Sequence, residues 1–405
     1  MIDTPLSLPC GSTLTNRMAK SALTERLAGI NHAPNDLHYQ LYDTWAKGGA
    51  GLMITGNIMV DSTYLEAAGN IVLENTDETQ AFQKWTRVGR ARGNHFWAQI
   101  NHPGRQSTIF STFNPIAPSE VKLKKLGLFA KPRAMTGEEV LEVLERFVNT
   151  ATLCKAVGFS GIQIHAAHGY LLNQFLSPLT NRRTDEWGGS LENRAKLLLL
   201  IIEKCRIALG QNFPISVKIN SADFQRGGFE EDDALWVIQE LEKRQIDLLE
   251  ISGGTYENLT FLTEKYEKKT STRAREAYFL DFAEKVRATC KLPLMVTGGF
   301  RSRAFCEEVL KNQELDVVGF GRPFLLSQDF PSGFLDGSLD RIGDMDMSQT
   351  PAFIRDIAEA GWYDFQIHKL AKGQPLAMAY SPTLGVLRFT QNELIKGIRN
   401  RLAIS

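Results

Sequence analysis

Apolar positions along the chain fall into two alternating textures. Short runs rich in apolar and β-branched residues occur at Arg17–Leu23, Gly51–Val60, Phe96–Asn101, Gly161–His165, Ile215–Asn220, Asp247–Ser252, Leu294–Thr297 and Val317–Phe320. Such runs read as strands. Between them, apolar residues recur at helical spacing over Asp36–Lys47, Asp77–Arg92, Gly137–Val157, Leu191–Leu209, Glu230–Lys243, Ala277–Thr289 and Ser302–Lys311. Strands that alternate with helices pair in parallel. Eight strands in one series favour an α/β fold closed as a (β/α)8 TIM barrel over an open doubly wound sheet. The barrel is assigned to residues 1–330. Residues 331–405 read as a C-terminal helical extension, with pieces at Thr350–Glu359, Trp362–Leu370 and Thr390–Leu402, packed on the barrel or on a partner subunit.

Two insertions interrupt the alternation, Ser107–Arg133 and Gly253–Arg275. Both follow strands and fall at the C-terminal face of a barrel, where loops build active sites. Their lysine runs otherwise read as solvated surface.

Composition narrows the function. The chain has 46 basic and 46 acidic side chains, so it lacks the basic surplus that nucleic acids or other polyanions demand. A small, largely neutral molecule fits better. The five cysteines, Cys10, Cys154, Cys205, Cys290 and Cys306, form no CxxC pair, which argues against a disulfide framework and for a reducing, cytoplasmic setting. The apolar stretch at Leu197–Ile202 is too short to span a bilayer, and the first residues lack the pattern of a signal peptide.

The residues suited to chemistry cluster at strand ends. Strand three carries Gln99 and runs into Asn101-His102-Pro103-Gly104-Arg105; strand four ends in His165, followed by His168 and Tyr170; strand five contains Lys218. Strand seven runs into Gly299 and strand eight into Gly319, Gly321 and Arg322. Glycines let a backbone approach a ligand closely, and an arginine fork suits a phosphate, so the last two loops read as a phosphate site or, more plainly, as turns. Lys218 has two readings, a structural ion pair or a charge that stabilises an anion formed during reaction, such as a reduced flavin. The His165/His168 pair admits three: metal ligands, packed histidines bonded to backbone, or donors that polarise a carbonyl or nitro oxygen with Tyr170 as proton donor. No second histidine pair with a carboxylate lies at strand one, so no metal is expected. Neither a GxSxG elbow nor a GxGxxG or Walker A motif is present.

These residues spell a resemblance. NHPGRQ at 101–106, IHAAHGYLLNQFLSPLTNRRTDEWGGSLENRAKL at 164–197, SVKIN at 216–220, VTGGF at 296–300 and VVGFGRPF at 317–324 resemble the Old Yellow Enzyme family of flavin-dependent ene-reductases. The resemblance implies a barrel with non-covalent FMN, NAD(P)H as a transient electron donor, and reduction of activated C=C bonds. It places Ala22, Leu23 and Thr24 against the flavin, with Thr24 at its C4 oxygen, and Gly56 as a backbone contact. Gln99 takes the pyrimidine edge and Lys218 the place of the basic residue, usually Arg, beside N1 and the C2 oxygen. His165 and His168 match the substrate-oxygen pair, Tyr170 the proton donor, and Gly299, Gly319, Gly321 and Arg322 the phosphate site. Asp185, Trp187 and Arg194 are expected to anchor the loop into the next helix.

There are departures. Lysine supplies charge at 218 but not a fork, and Ser21-Ala22 stands where a proline is common. Cys306 is the last cysteine, so the iron–sulfur cluster of longer relatives is not expected. Two other functions stay open at this point: an NADH:flavin or quinone oxidoreductase with a non-enone acceptor, and a barrel without catalysis that binds a ligand or partner. A homo-oligomer is compatible with the tail.

Overall fold

The computed structural model describes residues 1–124, 127–253, 279–348 and 350–404. Eight parallel strands form the wall: β1 Met18–Lys20, β2 Leu52–Met59, β3 His95–Asn101, β4 Ile162–Ala166, β5 Ile215–Asn220, β6 Leu248–Ser252, β7 Leu294–Thr297 and β8 Val317–Phe320. The ring closes because β1 pairs both with β8, at Met18↔Val318, and with β2, at Ala19↔Leu52. The chain is a TIM barrel.

Strand alternation sends side chains two ways. Inward residues Ala19, Leu52, Ile54, Trp97, Leu248, Met295 and Val317 pack with Leu8 and Leu14 into one cluster. Leu14 belongs to an antiparallel hairpin, Leu6–Ser7 with Thr13–Leu14, that packs its apolar side on this interior. Trp97 fills the space left by Gly161, where a Cβ would lie 2.5 Å from the indole Nε1. Outward residues join the larger core beneath the helices, among them Met53, Phe96, Ile164, Val217 and Val296.

The helices are α1 Asp36–Lys47, α2 Thr79–Gly89, α3 Gly137–Ala156, α4 Leu171–Leu176, α5 Leu191–Leu209, α6 Glu231–Lys243, α7 Leu280–Thr289, α8 Arg303–Lys311, α9 Phe330–Asp336, α10 Arg355–Ala371 and α11 Pro382–Ile404. Capping explains several starts. Thr136 and Glu139 form a reciprocal capping box on α3, and Ser190 accepts from the Asn193 N–H on α5. Helix α2 begins two residues later than the pattern suggests, because Asn75 Oδ1 accepts the Asp77 N–H and Thr79 folds back on the Thr76 carbonyl.

Three differences from the sequence pattern bear on the site. Strand β1 stops at Lys20, and Ser21 to Thr24 leave the sheet toward the mouth after a last bond from the Ser21 N–H to the Phe320 carbonyl. Helix α4 escapes a periodicity search because all six residues are buried. In the tail, two expected pieces merge into α10, since Gly361 continues the helix and meets Gly385 of α11 backbone to backbone. Helix α10 packs on α1 and sends Trp362, Ile367 and Leu370 into the main core. Within the first insertion, Ile116–Ala117 pairs in parallel with Arg133–Ala134. The second insertion, apart from Gly253, lies outside the described residues, as do the first residues of the expected helix at 277–289. Among the described residues no helix is long and apolar enough to cross a membrane.

Candidate active site

Parallel register assembles the site. On β4, β5 and β6, His165, Lys218 and Glu250 stand side by side at one level of the barrel. A cavity of about 440 Å³ opens at the strand C-termini, within the usual range for a cofactor pocket. Its lining includes Ala22, Leu23, His168, Lys218, Gly299, Gly319, Gly321 and Arg322, residues that the sequence spreads over three hundred positions.

His165 and Tyr170 sit just behind this lining. The His165 ring meets His168 edge-on at 5.1 Å and Tyr170 at 4.8 Å between centroids. His165 Nδ1 accepts the Ala167 N–H at 3.2 Å, which leaves Nε2 as the protonated, donating nitrogen. His168 holds a left-handed backbone at φ 58°, pinned by its N–H to Asn220 Oδ1 at 3.1 Å, and its Nε2 lies 2.8 Å from Ser252 Oγ. Burial, then the charge of the Lys218 ammonium, pushes His168 down to about 3. Burial drives His165 well below its ordinary value too, with His168 and Lys218 adding to it. Both are neutral imidazoles near pH 7.

Lys218 lies 3.0 Å from Glu250, a buried pair in which both readings of the lysine meet: it lines the cavity and it is ion-paired. Gln99 does not line the cavity; it lies further in, its Nε2 donating to Gln163 Oε1 at 2.8 Å.

Thr24 and Gly56 stand apart from the cavity. Thr24 Oγ1 donates to Asn57 Oδ1 at 3.1 Å, within a buried cluster where Asn57 also donates to Glu66. The Gly56 N–H donates to Glu25 Oε1 at 2.9 Å, and a Cβ there would lie 2.1 Å from Glu25 Oε2. Position 56 therefore needs glycine to admit the Glu25 carboxylate, which also accepts the Tyr42 hydroxyl. Beside this group, Lys20 is wholly buried, bonded to the Ile54 carbonyl at 2.9 Å and lying 4.4 Å over the Trp45 ring; burial lowers it to about 8.

The opposite end of the cavity gathers glycine backbone, one arginine and the acidic face of a helix. Gly298 and Gly299 have φ of 134° and 89°, a region that side chains disfavour. At Gly319 a Cβ would meet Thr297 Oγ1 at 2.0 Å. Arg322 projects here and donates through Nη1 to Glu359 of α10. Asp356, Glu359, Ala360 and Tyr363 of that helix complete the wall. Sequence reasoning missed this contribution, although spacings of three, four and seven residues mark one helix face. Elsewhere, Arg194 bonds the Leu176 and Gly189 carbonyls and Trp187 is buried, so the DEWGGSLENR stretch ties α4 to α5.

The donor set fits a flavin mononucleotide: a glycine-walled pocket with an arginine at one end, a lysine at the other, and neutral hydrogen-bond donors at its rim. Fold and pocket together define a flavin-dependent oxidoreductase barrel. Over residues 3–337 the chain matches the NADH:flavin oxidoreductase / NADH oxidase family, and it belongs to that family. An NADH-dependent flavin oxidoreductase of Hypocrea jecorina is 36% identical over 351 residues, covering 81% of this chain and 87% of that protein. Morphinone reductase in complex with tetrahydroNAD superposes with a TM-score of 0.71 at 24% identity, over 86% of this chain and 93% of that one. An Old Yellow Enzyme homologue from Zymomonas mobilis gives 0.71 at 22% identity, over 88% and 98%. The protein is an FMN-dependent oxidoreductase that takes electrons from NAD(P)H.

Proposed function

We propose that the protein reduces activated C=C bonds in α,β-unsaturated carbonyl or nitro compounds. The observation that carries this reading is the buried His165–His168–Tyr170 cluster at the cavity rim, two neutral imidazoles and a phenol with ring centroids about 5 Å apart. When bound, FMN would supply the chemistry of a two-electron carrier between the nicotinamide and the acceptor.

The chain's own residues do the rest. Lys218 at the cavity wall, and Gln99 from further in the barrel, would hold the pyrimidine edge of the cofactor, and Arg322 with the glycine loops after β7 and β8 would hold its phosphate. His165 donates from Nε2 to the acceptor's oxygen; a neutral donor strengthens its bond as charge grows on that oxygen. His168 shares the task, with Ser252 fixing its ring. Tyr170 gives its hydroxyl proton to Cα. The stretch Ala22–Leu23, which lines the cavity, would wall the ring face and exclude water. The five cysteines, none in a CxxC pair, suit a reducing, cytoplasmic setting.

The test is a pair of half-reactions followed by stopped flow. Tyr170→Phe is expected to slow reoxidation by cyclohexenone by about 10²–10⁴-fold, the usual worth of a positioned general acid, while reduction by NAD(P)H stays unchanged. Equal losses in both half-reactions would remove Tyr170 from the proton-donor role. Turnover of quinones but not of enones or nitroalkenes would assign a different acceptor to the same site.

A further inference from the structure

We propose that Glu250 is the residue that sets both the charge and the hydrogen-bond direction of the flavin site; this rests on the placement of Lys218 and Gln99 at the pyrimidine edge proposed above. Glu250 is 0% exposed, flanked on β6 by Leu249 and Ile251, where a carboxylate is costly unless fully partnered. Its partners are complete. Oε1 accepts from the Thr297 hydroxyl at 2.7 Å and faces Lys218 Nζ at 3.0 Å, and Oε2 accepts from Gln163 Nε2 at 2.7 Å.

A carboxylate can only accept, and that fixes the sense of every bond leading away from it. Gln163 must point its amide nitrogen at Glu250, so its carbonyl oxygen faces Gln99. Gln99 must then present its own nitrogen to Gln163, at 2.8 Å, and keeps its carbonyl oxygen for a ligand N–H. An amide that could otherwise flip is held in one orientation by a charge two side chains away. Along the other limb, Thr297 spends its single proton on Glu250, so the contact at 2.7 Å between Ser21 and Thr297 has Ser21 as donor. Ser21 opens the loop that carries Ala22 and Leu23 into the cavity. One carboxylate thus orients three elements of the site.

Its charge has a second effect. Lys218 alone would favour a negatively charged, reduced cofactor, whereas the Lys218–Glu250 pair is neutral as a unit. Glu250 therefore holds the cofactor harder to reduce than the lysine by itself would make it.

The experiment is a redox titration of the FMN-loaded enzyme, read by visible absorbance, together with FMN affinity by fluorescence quenching. Glu250→Gln should move the midpoint potential in the positive direction and Lys218→Met in the negative direction. Glu250→Asp keeps the charge and should return the potential toward the wild-type value. Gln163→Leu breaks the limb to Gln99 and also removes one donor to Glu250 Oε2, but leaves both charges of the Lys218–Glu250 pair; it should weaken FMN binding about tenfold, one net hydrogen bond, and move the potential less than Glu250→Gln does. If Lys218→Met shifts the potential and Glu250→Gln does not, the role of Glu250 is overturned while the flavin site stands. If neither shifts it, the placement of Lys218 fails, and this inference with it. Should Glu250→Gln not accumulate as holoprotein, Gln163→Leu decides alone, and an unchanged FMN affinity overturns the proposal.

Discussion

Lys20 is a cation in an unusual place for a residue that touches no carboxylate in the described structure. Burial opposes its charge more than Glu25 and Glu250 favour it, which is why it falls to about 8. Because its folded value lies below the ordinary 10.5, the unfolded chain binds the proton more readily. The resulting penalty is fully present below pH 8 and fades as pH rises toward 10.5. Lys20→Met, a change of similar shape, is therefore expected to stabilise the protein at pH 7 by up to about 3 kcal/mol and to lose most of that advantage near pH 10, as measured by urea unfolding at both values. Among individual residues, most of those the structure gathers at the cavity stand where strand ends meet loops, because a polar residue after an apolar run is conspicuous. Glu250 and Gln163 were open to the same reasoning, each a polar residue flanked on both sides by apolar ones within a strand, LLEIS and GIQIH. What sequence could not give is their mutual contact. Partners inside the barrel are set by register, within a neighbouring pair for 99 and 163 and across β5 for 163 and 250, and these positions share no local spacing.

At the scale of elements, hydrophobic period located all eight barrel strands and their helices, with boundaries that shift where side chains cap a turn. The period loses its grip where burial is complete on every side, as in α4, and where glycine interrupts a helix only in appearance, as in α10. The α10–α11 crossing illustrates the second case. A Cβ on Gly361 would lie 2.3 Å from the Gly385 carbonyl oxygen, and one on Gly385 would lie 2.8 Å from the Trp362 nitrogen. Alanine is ordinarily better than glycine inside a helix, yet Gly361→Ala should destabilise here by about 1–3 kcal/mol, because the helices must splay. Differential scanning calorimetry should show a lower Tm, and a Tm equal to or above wild type would contradict the close crossing. The same helix carries Glu359 and Tyr363 to the cavity, so FMN release should quicken in that variant.

At the scale of the whole molecule, the seven histidines act together. Burial is the leading cause that lowers every one of them, most strongly at His38 on α1, His102 just after β3, His165 on β4 and His168 in the loop that follows. Each fully buried imidazole stays neutral in the folded state while the unfolded chain takes up a proton below about pH 6.5, a loss of about 1.4 kcal/mol per pH unit for each. Glu25, Asp223 and Glu393, raised by burial, act in the opposite sense once carboxylates titrate. Stability should hold from pH 8 to 6.5 and then fall steeply toward pH 4, with the unfolding slope reporting several protons bound; a flat profile down to pH 5 would refute the neutral-histidine interior. The wall that α10 lends to the cavity also has a meaning in time. The ribosome delivers Phe320, which completes β8, before it delivers Asp356, Glu359 and Tyr363. At synthesis rates of about 5–20 residues per second, a newborn barrel can close its ring seconds before the far side of its mouth exists. During that interval the end of the pocket that carries Gly299, Gly319, Gly321 and Arg322 is still without the helix that walls it.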